Sequence, residues 1–189
     1  MIPHSNSDLS GVAARVREQV VEVERLLTER DPEEAAWRPD ETSWSLVGHA
    51  AHMAIVNGPY LDSIHAALES ARARNGPMSD GPWRHSVIST WFVRQNAPPP
   101  RRRIRTFKAM VPDPGTTPEA ALRDFRRTHE RLLAAIDHAH GLDLGRIRFG
   151  SPFFGLLRLS AGAAIGLLVA HTDRHIWLMH EVNRMRAGG

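Results

Sequence analysis

Apolar side chains recur every three or four residues in four stretches of the chain, which is the spacing of one face of an α-helix. The first stretch covers residues 12–27 and ends before Pro32. The second opens after Ser43 or Ser45, either of which can cap a helix, and continues beyond Pro59. Because proline has no backbone N–H, we expect a kink in this second helix at Pro59.

The third and fourth helical stretches have clear start signals. Thr117 precedes Pro118, which places a capping side chain before a proline at the first helical position. The fourth stretch begins near Ser160 and continues to about Arg186. The pattern therefore predicts four long helices.

A long proline-rich connection separates the second and third helices. It holds Trp83, Trp91, Phe92 and Phe107, which is too much aromatic surface for a solvated linker, so we interpret it as a lid or crossover packed on the helices. No segment alternates convincingly enough to predict a strand. We therefore expect one all-α domain over residues 1–189, a four-helix bundle with a long crossover between helices 2 and 3.

Composition limits the classes of site and partner. The chain has no cysteine, which excludes disulfides, thiolate ligands and a cysteine nucleophile. The pI near 10.4 reflects positive charge that is almost all arginine, since Lys108 is the only lysine and the formal net charge is +3. The Arg101–Arg103 run is predicted to be a solvated loop, and no nucleic-acid-binding signature accompanies it.

The polarity of the first residues and the length of the apolar runs bear on the expected compartment. Residues 1–8 are polar and do not resemble a signal peptide. The longest apolar run, residues 159–170, is too short to span a bilayer. We expect a cytoplasmic protein with no membrane partner.

Eleven histidines are present, and two of them are spaced to converge. His171 and His175 are four residues apart on a predicted helix, so their rings lie on one face, one turn apart. Two ring nitrogens at that spacing can reach one ion at about 2.0–2.1 Å. A third ligand must come from another helix, and by spacing alone either His49 or His52 is a candidate.

Several motifs, taken in order, resemble the DinB superfamily of four-helix metalloproteins. They are Trp37-Arg38-Pro39, Ser43-Trp44-Ser45, His52 eight residues after Trp44, and His171-Thr-Asp-Arg-His175. The resemblance implies that His52, His171 and His175 bind a divalent transition metal such as zinc or nickel. It extends over most of the chain, but residues 75–100 match less well and look like an insertion.

Three protein ligands leave a coordination position open, which is typical of catalytic rather than structural sites. Such an ion lowers the pKa of a bound water or activates a substrate thiolate. Some members of the family transfer groups to bacillithiol, mycothiol or glutathione. The resemblance thus implies a metal-dependent hydrolase or low-molecular-weight-thiol S-transferase acting on a small molecule. The alternative is a non-catalytic helical bundle with a structural or vacant histidine site.

The remaining candidates have supporting roles. His49 is interpreted as a neighbour of the ligands or a surface residue. His129 is a candidate neighbour of the ligands, although a buried histidine with its own hydrogen bonds is the favoured interpretation. Trp83, Trp91 and Phe92 are the candidates for lining a pocket. Trp37 and Trp44 are predicted to be packing residues. Bundles of this size often pair through helix faces, so we also expect a homodimer.

Overall fold

The structure is a computed structural model that describes residues 1–79, 81–100 and 106–188. Helices form most of the fold in these residues. In chain order the elements are α1 (Asn6–Thr28), α2 (Pro32–Ala36), α3 (Leu46–Ala73), α4 (Val87–Gln95), a 3₁₀ helix (Lys108–Met110), α5 (Pro118–His138), β1 (Arg148–Gly150), β2 (Arg158–Ser160) and α6 (Ala161–Ala187). The Arg101–Arg103 run, predicted to be a loop, lies outside the described residues.

The four long helices, α1, α3, α5 and α6, form the predicted bundle. α3 packs against α5 and α6, and α1 packs against the same two helices, so α1 and α3 lie diagonally across the bundle. α3 is one helix that runs through Pro59, so the proline does not end it. The all-α prediction is confirmed, and α3 and α6 are neighbours whose side chains can meet.

Several short elements were not predicted: α2, α4, the 3₁₀ helix and the strand pair β1–β2. The crossover contains α4, which Ser86 caps by accepting a hydrogen bond from the backbone N–H of Ser89. The connection before α6 contains β1 and β2, an antiparallel pair with Phe149 opposite Leu159. α4 is nine residues long and each strand is three, which is too short for periodicity to stand out.

The apolar core divides into two clusters along the bundle. The first cluster includes α3 as far as Met53 and α6 from Ile176 onward. The second includes α3 from Val56 onward and α6 as far as Ala170. On both helices the change from one cluster to the other occurs at the same level of the bundle. Histidines occupy that level on both helices.

Side-chain caps define where the histidine-bearing helices begin. Ser45 accepts a hydrogen bond from the backbone N–H of Gly48 at 3.0 Å, and Ser160 accepts one from Ala163 at 3.3 Å. Each bond satisfies a backbone donor that has no partner inside its helix. None of the described helices combines the length and apolar character needed to cross a membrane.

Replacing Ser45 with alanine should lower the free energy of unfolding by about 1 kcal/mol, because the N–H of Gly48 loses its acceptor. Ser5 is a matched control, since it occupies the N-cap position of α1 without a capping hydrogen bond. Ser5→Ala should change stability by less than about 0.5 kcal/mol. Urea unfolding followed by circular dichroism measures both values, and equal losses would contradict the capping role.

Candidate metal centre

Three histidines from two neighbouring helices converge inside the bundle. His52 projects from α3, and His171 and His175 project from α6. Their side chains are 4%, 8% and 6% exposed, respectively. One ring nitrogen from each lies within 4.8 Å of those from the other two. The structure therefore brings together the three residues that the family resemblance implies as ligands.

The spacing between two of these nitrogens matches that of ligands on one ion. The Nε2 atoms of His52 and His171 are 3.3 Å apart. Two nitrogens that each lie about 2.0–2.1 Å from a tetrahedral ion are separated by about 3.3–3.4 Å. The pair is thus already at ligand spacing.

A backbone carbonyl orients the ring of His52. Its Nδ1 lies 2.7 Å from the carbonyl oxygen of Met110, at the end of the 3₁₀ helix. Because a carbonyl oxygen can only accept, Nδ1 carries the proton and donates it, which leaves a lone pair on Nε2. The long crossover thereby fixes the tautomer of a candidate ligand.

His49 contacts the cluster without joining it. It is buried, and its Nδ1 lies 2.9 Å from Nδ1 of His175, which is a hydrogen-bonding distance. The sequence leaves His49 and His52 open as the third ligand. In the structure His52 completes the group of three, and His49 contacts one member of that group, His175.

His171 has an unsatisfied ring nitrogen. Its Nδ1 is buried and has no hydrogen-bond partner in the described part of the chain. A buried polar atom without a partner costs free energy. Coordination through Nε2 would offset part of that cost.

Burial keeps all four rings uncharged at neutral pH. It lowers the pKa of His49 to about 3 and of His52 to about 4. It also lowers the pKa values of His171 and His175 well below the ordinary histidine range. Because a metal binds the neutral imidazole, these lone pairs need not first lose a proton. The donor set, all neutral imidazole, fits a divalent transition metal.

Trp44 forms one wall of the cluster. Its ring centroid lies 4.5 Å from that of His52, and it is stacked on His175 with centroids 6.0 Å apart. The sequence predicts only a packing role for it. The sequence feature that could have indicated its position beside the histidines is that it immediately precedes Ser45, the cap of the helix that holds His52.

The charged residues between the two α6 histidines face other elements. Asp173 accepts hydrogen bonds from Arg15 at 2.7 Å and from Gln19 at 2.7 Å, both on α1. Arg174 is buried and donates to the carbonyl oxygen of Gln95 at the end of α4, at 3.3 Å. Arg174 therefore links the crossover to the helix that holds His171 and His175.

His129 and Trp83 lie within the packed interior. His129 donates from Nδ1 to the carbonyl of Phe125, and its Nε2 is 3.4 Å from the hydroxyl of Thr172, so both ring nitrogens have partners other than the three candidate ligands. Trp83 is 2% exposed and its indole N–H donates to the carbonyl of Ser79. Their roles near the ligands and in a pocket stay predictions.

The other predicted pocket residues lie on α4. Trp91 is 59% exposed, and Phe92 packs edge-on against Phe154 with ring centroids 5.7 Å apart. Phe107 contacts the same Phe154 ring. These aromatic rings link the crossover to the β1–β2 connection, and their role in lining a pocket stays a prediction.

Comparisons with known proteins agree with the fold. The family model of the DinB superfamily matches residues 15–179. The structure is similar to that of YfiT from Bacillus subtilis, described as a probable metal-dependent hydrolase with an unusual four-helix bundle topology. The TM-score is 0.61 at 15% identity, over 96% of this chain and 89% of that one. No protein among the curated ones matches the chain.

Replacing His171 with alanine should abolish stoichiometric binding of zinc or nickel, because the ion loses one of three ligands. The helical content should stay the same. His180→Ala is the matched control, since His180 lies on the same helix but pairs with Glu22 on the surface. Elemental analysis after dialysis and circular dichroism give the two readouts. A His171→Ala protein that retains one equivalent of metal would contradict the assignment of ligands.

Proposed function

Since the chain belongs to the DinB superfamily, we propose that it is a metal-dependent enzyme in which His52, His171 and His175 hold one divalent ion. Its reaction is the hydrolysis of a small molecule or the transfer of a group to a low-molecular-weight thiol. The observation that supports this proposal is the convergence of three buried, neutral imidazoles from two helices.

Zinc or nickel is the proposed ion. Imidazole suits both metals, and no thiolate is available because the chain has no cysteine. Bound there, the ion supplies a Lewis acid with an open coordination position. All three proposed ligands are neutral, so they leave the charge of the ion undiminished.

The charge around the cluster favours an anionic substrate group. Arg174 is close enough to contribute to the lowered pKa values of His171 and His175, after the larger effect of burial. No described carboxylate contributes to the pKa shifts of the four histidines. A thiolate or carboxylate on the substrate would therefore meet only neutral or positive side chains among these groups.

The same surroundings bear on the type of reaction. Hydrolases often use a carboxylate as general base to take a proton from water. Asp173, the acidic residue nearest in sequence to the α6 histidines, accepts hydrogen bonds from Arg15 and Gln19 instead. This favours thiol transfer, whereas the description of YfiT favours hydrolysis for that protein.

The protein loaded with cobalt(II) should change its visible spectrum when a thiol or azide is added. The reason is that three protein ligands leave one position for an exogenous ligand. Titration to saturation gives the affinity, and the metal-free protein is the control. A spectrum that does not respond, together with a sharp fall in melting temperature on chelation, would instead support a non-catalytic bundle with a structural metal.

A screen with two arms should identify the reaction of the metal-loaded protein. One arm supplies esters, amides and lactones, and the other supplies an alkylating electrophile with bacillithiol, mycothiol or glutathione. We expect turnover in the thiol arm that follows metal content and disappears in His171→Ala. Turnover without any thiol would establish the hydrolase, and no turnover in either arm by fully loaded protein would count against the enzyme.

A further inference from the structure

We infer that His49 is a positioning residue that accepts a hydrogen bond from Nδ1–H of His175 and so turns Nε2 of His175 toward the metal. This inference rests on the proposed metal site. It gives a role to a buried histidine that is not one of the three ligands.

Two distances distinguish the hydrogen-bonded pair from the ligand pair. The Nδ1 atoms of His49 and His175 are 2.9 Å apart, whereas the Nε2 atoms of His52 and His171 are 3.3 Å apart. Two ligands of one tetrahedral ion lie about 3.3–3.4 Å apart, and an N–H···N hydrogen bond is shorter. His49 and His175 are therefore spaced to share a proton rather than an ion.

The direction of that hydrogen bond follows from the tautomers. A neutral imidazole has one nitrogen that donates and one that accepts. For His175 to offer a lone pair on Nε2, its proton must be on Nδ1. Nδ1 of His49 must then accept, which places the proton of His49 on its own Nε2.

The proposed hydrogen bond of His175 resembles the one that His52 makes, except that the acceptor is a side chain rather than a backbone carbonyl. Nδ1 of His52 donates to the carbonyl of Met110, and in our assignment Nδ1 of His175 donates to His49. Metal-binding histidines commonly have such a partner on the second ring nitrogen, which fixes the tautomer and the ring orientation. Here both acceptors are uncharged.

Packing holds His49 in place for this role. It is buried, and the ring of Trp44 meets it edge-on with centroids 5.6 Å apart while stacking on His175. The backbone N–H of His49 also bonds to the carbonyl of Ser45 in the first turn of α3. His49 is therefore held against His175 by the start of α3 and the ring of Trp44.

Three variants test the role through zinc affinity, measured by competition with a chelator. His49→Phe keeps a ring but removes the acceptor, and it should weaken binding by about 10–100-fold. His49→Asn places an amide oxygen near the position of Nδ1 and should restore affinity to within a few-fold of the unaltered protein. His65→Phe removes a histidine elsewhere on α3, one whose Nε2 lies 3.2 Å from the carbonyl oxygen of Arg131, and should leave affinity nearly unchanged.

A second readout reports the hydrogen bond itself and does not depend on activity. In ¹H–¹⁵N spectra of the zinc-loaded protein, the proton should be on Nδ1 of His175 and on Nε2 of His49. In His49→Phe the His175 Nδ1–H signal should exchange faster with water. Thermal unfolding of each variant shows whether the bundle is intact.

Several outcomes would overturn the inference. They are unchanged zinc affinity in His49→Phe, equal weakening in His49→Asn and His49→Phe, equal weakening in His65→Phe, or a proton on Nδ1 of His49. Zinc binding by the unaltered protein together with any of these leaves the proposed function standing and removes only the positioning role. An unaltered protein that binds no metal would refute both.

Discussion

The need to satisfy buried imidazole nitrogens is the constraint on which the centre of the bundle depends. His49, His52, His171 and His175 lie at the level where one apolar cluster gives way to the other. Polar atoms removed from water cost free energy unless each finds a partner. Met110 and His49 supply two such partners, and Nδ1 of His171 has none in the described part of the chain. The neutral lone pairs that remain are close enough together for one ion, since one ring nitrogen from each of His52, His171 and His175 lies within 4.8 Å of the other two.

The rotation of α6 about its axis is fixed from the side opposite the cluster. Asp173 lies about 200° around the helix from His171, since each residue turns the helix by about 100°. It is held there by Arg15 and Gln19 on α1, and Gln19 also donates to the carbonyl of Val169. With that side of α6 bonded to α1, the histidine face is turned toward α3. The HTDRH segment thus encodes both the candidate ligands and the contact that orients them.

The sequence predicts the long helices and the pair on α6 because both depend on local spacing. Periodicity finds each of the four helices, and the Thr117 cap is confirmed by its bond to Ala120. Spacing does not choose between His49 and His52, since both are buried near the start of α3. The resemblance to the family selects His52, and the distances to α6 agree with that choice. The carbonyl of Met110 is invisible to residue patterns, because every residue has one. Tertiary contacts that use the backbone leave no mark in the sequence.

The crossover is part of the centre rather than a cover added to a finished bundle. Its 3₁₀ helix fixes the tautomer of His52, and the end of α4 accepts a hydrogen bond from Arg174, between the two α6 histidines. Both contacts use carbonyl oxygens, so they depend on the path of the backbone and tolerate changes of side chain at the residues that supply them. Of the two, only Gln95 lies within residues 75–100, and because its contact uses a carbonyl oxygen, the contact does not depend on which side chain stands there. A bundle with the same four helices and a different crossover would have to supply another acceptor for His52.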